Sequence, residues 1–366
     1  MTSVKDLLLK QIGWTLIIII VSYLGLSFFP INADSMKLNY LQRWSDWDGF
    51  AYLGIAENGY GHSGGGYAFF PVYPITIKIV SYFLLGNYLL SALIISWFSL
   101  FFASLYLHKL VRLDFNKDIS DKTLKYILVF PFSFFFLAAY TESIYLLLTV
   151  SAFYYFRKSL YLKSSFLGML ATAARVVGIA IFPALIFEVL QNKNIKKGRK
   201  IYSLALIPVG LLGYMFYLFL TRGNAFYFIE AVSTYFGRDQ ITYPFKALFS
   251  YVKNYILPFG NVFASRDSAL VTMEFAFSVL FLILIIFVWF KVRKSYAIYA
   301  FVAWSMPLMT GRTGSMLRYV LILFPCFIAL GILGSKYESF NKFYLFLSSM
   351  LLAIFLISFI NGYWVA

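Results

Sequence analysis

The chain is poor in charge, in histidine and in cysteine. Only 13% of its 366 residues are Asp, Glu, Lys or Arg, against roughly 25% in a soluble domain. A soluble globular protein is excluded, and so is disorder, which needs low hydrophobicity with high charge. The single cysteine, Cys326, lies in an apolar run, so there is no disulfide framework and no cysteine-based metal site. The two histidines, His62 and His108, are too few for a zinc-type cluster. Acidic residues number 15 against 31 basic ones, a net charge of +16. A basic excess can mark a nucleic-acid binder. In a membrane chain it marks basic cytoplasmic loops, and no nucleic-acid partner is expected here.

What is present is apolar surface: 61% of residues are hydrophobic and 21% aromatic. The runs are continuous, as in FSVLFLILIIFVWF, whereas barrel strands alternate over ten-residue segments. Clear runs cover 12–29, 88–108, 124–138, 142–156, 201–220, 269–290, 296–309, 319–335 and 343–360. The stretch 164–190 is broken by Arg175 and Gly178 and reads as two short helices meeting near the outer face. The run 12–29 lacks a small-residue cleavage site and reads as the first anchor. These runs predict an all-α polytopic membrane protein, one integral membrane domain over 1–366. At about 20 residues per pass it would hold about eleven transmembrane helices.

The stretch FFPVYPITIKIVSYFLL (69–85) decides the topology. Only eleven residues separate Pro74 from Gly86, too few to cross about 30 Å at about 1.5 Å per residue. If it dips in and returns, and the N-terminus is cytoplasmic, the inner loops hold 20 of the 31 basic residues. These are Lys5, Lys10, Lys109, Arg112, Lys117, Lys122, Lys125, Arg157, Lys158, Lys163, Lys193, Lys196, Lys197, Arg199, Lys200, Lys291, Arg293, Lys294, Lys336 and Lys342. That is the positive-inside arrangement. Segments 30–87 and 221–267 then face the extracytoplasmic side.

The outer loop contains RWSDWDGFAYLGIAENGY, with Asp46 and Asp48 flanking Trp47. Trp47, Phe50, Ala51, Leu53 and Gly54 form one apolar side of a short helix lying in the interface. A carboxylate held there is either a general base raised by partial burial or a charge that solvates the loop. The glycine-rich GYGHSGGGY (59–67) has no strand before it, as a phosphate cradle would need. It reads as a flexible loop with His62 exposed. Arg175 lies mid-hydrophobic and is a functional candidate by default, or else a snorkelling arginine. Glu142 opens a span with Thr141 as its cap; it is either a carboxylate favoured by the helix dipole or one that faces the site. Arg312 and Arg318 begin an inward-going span and either grip a lipid phosphate or anchor the interface. Glu274 is expected to face the bundle interior. The basic run 193–200 reads as a topogenic loop.

Taken together, these residues resemble a known family. WDGFAYLGIAENGY followed by YAFFPVYP resembles the signature of the PIG-V-type mannosyltransferases. FPFSFFFLAAYTESIYLLLTVSAF is similar to that family's next block, and ATAARVVGIAIFPAL to its Arg-x-x-Gly block. The three occur in the family's order within 44–190; in the C-terminal half only SMLRYVLILFP looks similar. The resemblance implies a membrane-embedded C-type glycosyltransferase fold with interfacial helices after the first span. It also implies a glycosyltransferase module over 1–190 and further helices over 191–366. Mannose, or a related hexose, would move from a polyprenyl-phosphate carrier (dolichyl phosphate in eukaryotes) on the non-cytoplasmic face. Eukaryotic members act on the glycosylphosphatidylinositol precursor. This chain is short and its first outer loop compact, which fits a prokaryotic homologue with another glycolipid or glycan acceptor. Asp48 matches the acidic residue after the tryptophan. Glu57 and Tyr60 match the Ala-Glu-x-Gly-Tyr end, and Glu142 and Arg175 match the other two blocks. Asp46 lies outside the match.

The reaction expected is a single inverting displacement. Asp48 takes the acceptor's proton, with Asp46 beside it, and Arg175, Arg318 and Arg312 meet the departing phosphate. No cofactor is expected, although an Asp46–Asp48 pair is a plausible holder of a divalent ion. The rival readings are a transporter or flippase of lipid-linked sugars, or a non-catalytic assembly subunit. Inverted repeats would favour a transporter, and none is visible.

Overall fold

The computed structural model describes residues 4–33, 35–62, 64–191, 202–238, 241–256 and 265–365. The basic run 193–200 and the side chain of His62 lie outside the described residues. Sixteen α-helices are used below: α1 Val4–Phe28, α2 Asp48–Asn58, α3 Val72–Ser81, α4 Tyr88–Val111, α5 Lys117–Val129, α6 Glu142–Arg157, α7 Tyr161–Ala174, α8 Ile181–Gln191, α9 Val209–Arg222, α10 Tyr227–Phe236, α11 Phe245–Tyr251, α12 Arg266–Lys291, α13 Lys294–Leu308, α14 Met316–Tyr319, α15 Phe324–Lys336 and α16 Glu338–Ile360. No strand occurs among the described residues.

Among the described residues, five helices are long and apolar enough to cross a membrane: Val4–Phe28, Tyr88–Val111, Tyr202–Arg222, Arg266–Lys291 and Glu338–Ile360. The pair Met316–Ile322 and Phe324–Lys336, bent by 77°, is either a broken sixth span or a re-entrant loop. The sequence runs suggest about eleven passes; of the remaining runs, 142–156 and 296–309 form unbroken but short helices of 16 and 15 residues, and others are cut. The run 124–138 is divided at Phe130–Pro131 between the end of α5 and a 3₁₀ turn, Ser133–Phe136. The run 164–190 is cut at Arg175, between α7 and the 3₁₀ turn Val176–Ala180. The difficult stretch 69–85 forms the ten-residue α3 and a 3₁₀ turn to Leu84, far short of a bilayer.

Local chemistry sets many of these ends. Asn87 and Asn116 cap α4 and α5, accepting the N–H of Leu90 and Ile119. A reciprocal Ser265–Ser268 box opens α12. Helix α2 forms where an interfacial helix is expected, but it buries Gly49, Tyr52 and Ala56 rather than the Trp47–Phe50–Leu53 side. The bundle, not a flat interface, covers this helix: Tyr52 meets Phe69 and Tyr73 edge-on at 4.9 and 5.1 Å. The glycine-rich 59–67 is not an open loop. It winds into 3₁₀ turns Tyr60–His62 and Gly64–Ala68, and Tyr67 is buried with Tyr214 donating to its carbonyl.

Charged groups separate to opposite ends. At one end Arg157 grips Asp114 with both terminal nitrogens, at 2.6 and 2.7 Å, and Arg293 meets Asp114 and Glu188. At the other end stand Asp48, Glu142, Arg175 and Arg318. Glu142 opens α6 and Arg157 closes it, so the two clusters lie roughly 22 Å apart at 1.5 Å per residue.

The break at Arg175 depends on Gly178. A β-carbon there would lie 2.5 Å from the carbonyl carbon and oxygen of Ala171 and 2.7 Å from the Thr172 nitrogen. These are backbone atoms and cannot rotate away. Gly178→Ala therefore should destabilise the protein by about 1–3 kcal/mol through overpacking, read as a lower melting temperature in detergent. A melting curve unchanged from wild type would refute this account of the break.

Candidate active site

Asp48 is the first residue of α2, and Trp47 before it has φ 52 and ψ −111. That positive φ is strained for a residue with a side chain. It is held by packing: the Trp47 ring lies 5.5 Å from Phe359 and 5.9 Å from Trp364. The turn directs Asp48 toward Arg318, whose Nη1 lies 2.6 Å from its Oδ2. Arg318 comes from α14, which also starts on a strained residue, Ser315 at φ 67. Its Nε lies 3.5 Å from Glu142 Oε1, a charge contact rather than a hydrogen bond. The same Oε1 accepts from Arg175 Nη1 at 2.6 Å. The result is a continuous alternation of charge, Asp48–Arg318–Glu142–Arg175, in which the two arginines and Glu142 are buried. Aromatic faces line the cations: Arg175 lies 5.1 Å from the Tyr319 ring centre and Arg318 5.3 Å from that of Tyr140.

A cavity of about 270 Å³ opens on this chain of charges, lined by Asp48, Tyr52, Phe69, Arg175, Arg238, Arg318, Tyr319 and Trp364 among others. Three guanidiniums and one carboxylate on its wall suit an anionic ligand carrying a hydroxyl-bearing group. Burial raises the Tyr52 phenol, keeping it a neutral donor.

The remaining expected residues separate. Asp46 does not line the cavity. Its side chain lies 3.8 Å from Arg43 and accepts the Trp47 N–H at 3.2 Å, while Tyr140 donates to its carbonyl at 2.7 Å. Burial raises its carboxyl above the usual range, with Trp47 and Arg43 opposing. Asp46 and Asp48 thus point at different arginines and do not converge as an ion-binding pair would. Glu57 is exposed near the far end of α2, and Tyr60 donates to the Phe69 carbonyl and lines a second cavity. Arg312 is exposed and lines a third, beside Glu274. Thr141 stands at the N-cap of α6 but its hydroxyl does not cap it; it accepts from Arg175 at 3.1 Å instead. Arg238 is absent from the sequence reading. Segment 221–267 holds several cations and no local signal singles this one out; its relevance comes from the fold, where it donates to the Gly314 carbonyl at 2.9 Å and to Ser315 Oγ at 3.1 Å.

The Arg175–Glu142 contact yields a stability test. Arg175→Leu leaves Glu142 with a weakened partner set, and breaking one side of a buried pair costs about 3–5 kcal/mol. Glu142→Leu should cost similarly. The double variant should lose less than the two singles added together, measured as melting temperatures of purified protein. Strictly additive losses would show that the pair is not coupled.

Residues 18–256 match the family model Mannosyltransferase (PIG-V). No curated protein matches the chain. The match covers more than half of the chain, which therefore belongs to this family and is a glycosyltransferase of the mannosyltransferase kind. It includes Asp48, Glu142, Arg175 and Arg238, and it ends before Arg318.

Proposed function

We propose that this family member moves a mannose, or a related hexose, from a polyprenyl-phosphate donor to a hydroxyl of a glycolipid or glycan acceptor. The observation that carries the reading is the Asp48–Arg318 contact of 2.6 Å at the cavity wall. It pairs a carboxylate, the natural base for a hydroxyl, with a guanidinium, the natural partner of a phosphate.

The acceptor oxygen attacks the anomeric carbon, the bond from that carbon to the phosphate oxygen breaks, and the acceptor's proton passes to Asp48. The donor phosphate carries one negative charge and leaves with two. Arg318 and Arg175 meet the added charge. As Arg318 turns from Asp48 toward the phosphate, the carboxylate loses its strongest neutralising contact and becomes the better base. Glu142, contacting both arginines, keeps them side by side. A single displacement inverts the anomeric centre, so a β-linked donor gives an α-linked product.

An apolar cavity of about 550 Å³ shares a wall with the first: Ala173 faces it and Ala174 faces the charged cavity. Its lining includes Pro71, Pro74, Ile75, Leu170, Val209 and Tyr214, a surface suited to an isoprenoid chain. The extracytoplasmic placement of the site is supported by its position on α6 opposite the basic end, together with the positive-inside count.

Asp48→Asn keeps size and hydrogen bonding but removes proton acceptance. Turnover with labelled polyprenyl-phosphate mannose should fall about 10²–10⁴-fold while donor binding persists. Asp46→Asn should cost far less, because Asp46 faces Arg43. Wild-type turnover in Asp48→Asn would refute the mechanism.

A further inference from the structure

Ser315 is one of four non-glycine residues with positive φ among the described residues. Such a conformation persists only where the surroundings over-determine it. Here the consequence is functional, because Ser315 opens the four-residue α14 that carries Arg318. The contact that fixes it comes from α12. Glu274 Oε1 accepts the Ser315 N–H at 2.6 Å, and Oε2 accepts the Thr313 hydroxyl at 3.4 Å. Glu274 is 5% exposed and does not line the charged cavity. It lines a separate one of about 430 Å³, together with Arg312, Thr313 and Gly314 of the turn. Arg238 holds the same turn from the cavity side, through Gly314 and Ser315.

We infer that Glu274 is a positioning residue for sugar transfer: its carboxylate locks the left-handed turn at Ser315 and thereby sets where Arg318 stands relative to Asp48 and Glu142. An acidic residue inside an apolar span is costly and needs a partner. This one takes its two contacts from the short turn ahead of Arg318, the residue that α14 delivers to the cavity. The inference rests on the reading above in that Arg318 is taken to meet the donor phosphate.

Glu274→Leu removes the lock. Losing a hydrogen bond to a charged group corresponds to roughly a ten- to hundredfold effect, expected here as a higher donor KM with the acceptor KM unchanged. Glu274→Gln keeps an acceptor oxygen and should stay near wild type. The decisive variant is Glu274→Leu with Ser315→Gly, since glycine holds a positive φ without strain and should restore much of the donor affinity. Independently of any donor, amide hydrogen exchange over 315–319 should quicken in Glu274→Leu and not in Glu274→Gln. Unchanged exchange and unchanged donor KM in Glu274→Leu would overturn the inference. So would a loss spread over the whole chain that Ser315→Gly fails to relieve, which is what a purely structural glutamate gives. If the wild type transfers no mannose, the reading of the reaction falls, while the exchange experiment still decides the role of Glu274.

Discussion

Two guanidiniums buried in an apolar helical protein set the terms for everything around them. Arg175 and Arg318 are 8% and 7% exposed, and the penalty for taking such an ion out of water is several kcal/mol even after relaxation. Removing their carboxylate partners would leave that penalty uncompensated. Glu142 and Asp48 meet them in alternation, and the neutral cluster that results can be buried where an isolated charge could not. On the proposed reading, its cations exchange a carboxylate for a phosphate of the same charge sign.

Assembling four charges from four parts of the chain requires helices to stop at the right place. Arg175 sits between α7 and a 3₁₀ turn, and Glu142 and Asp48 each open a helix. Arg318 lies in the short arm of a helix pair bent by 77°. Two of the strained residues, Trp47 and Ser315, immediately precede the helices that carry Asp48 and Arg318. Strain concentrated at both members of the central contact is a pattern expected of functional sites. The interrupted helices go with delivering side chains from helix ends, and they account for part of the shortfall in long spans against the apolar runs.

Arg175 could be picked out because a lone charge in an apolar run is locally conspicuous, whereas Asp48, Glu142 and Arg318 stood out only as charges flanking apolar runs, the first two also through the family resemblance. The helical class was legible for the same reason, since continuous apolar runs have one economical structure in a membrane. What the sequence did not reveal depends on backbone geometry. Asp46 and Asp48 are two residues apart and equivalent by composition; the positive φ at Trp47 sends one to Arg43 and the other to Arg318. Arg312 and Arg318 look like a pair, but the left-handed turn at Ser315 lies between them and they line different cavities. Arg238 enters from a segment distant in sequence, a contact that no local pattern encodes.

The central claim is that Arg318 is shared between Asp48 and the donor phosphate. An experimental structure of the protein with polyprenyl-phosphate mannose bound tests it most directly. The account predicts the phosphate within hydrogen-bond distance of both Arg175 and Arg318, with Arg318 drawn away from Asp48 and the anomeric carbon facing that carboxylate. A phosphate seated at Arg312 or at the Arg157–Arg293 end, with the Asp48–Arg318 contact intact, would contradict it.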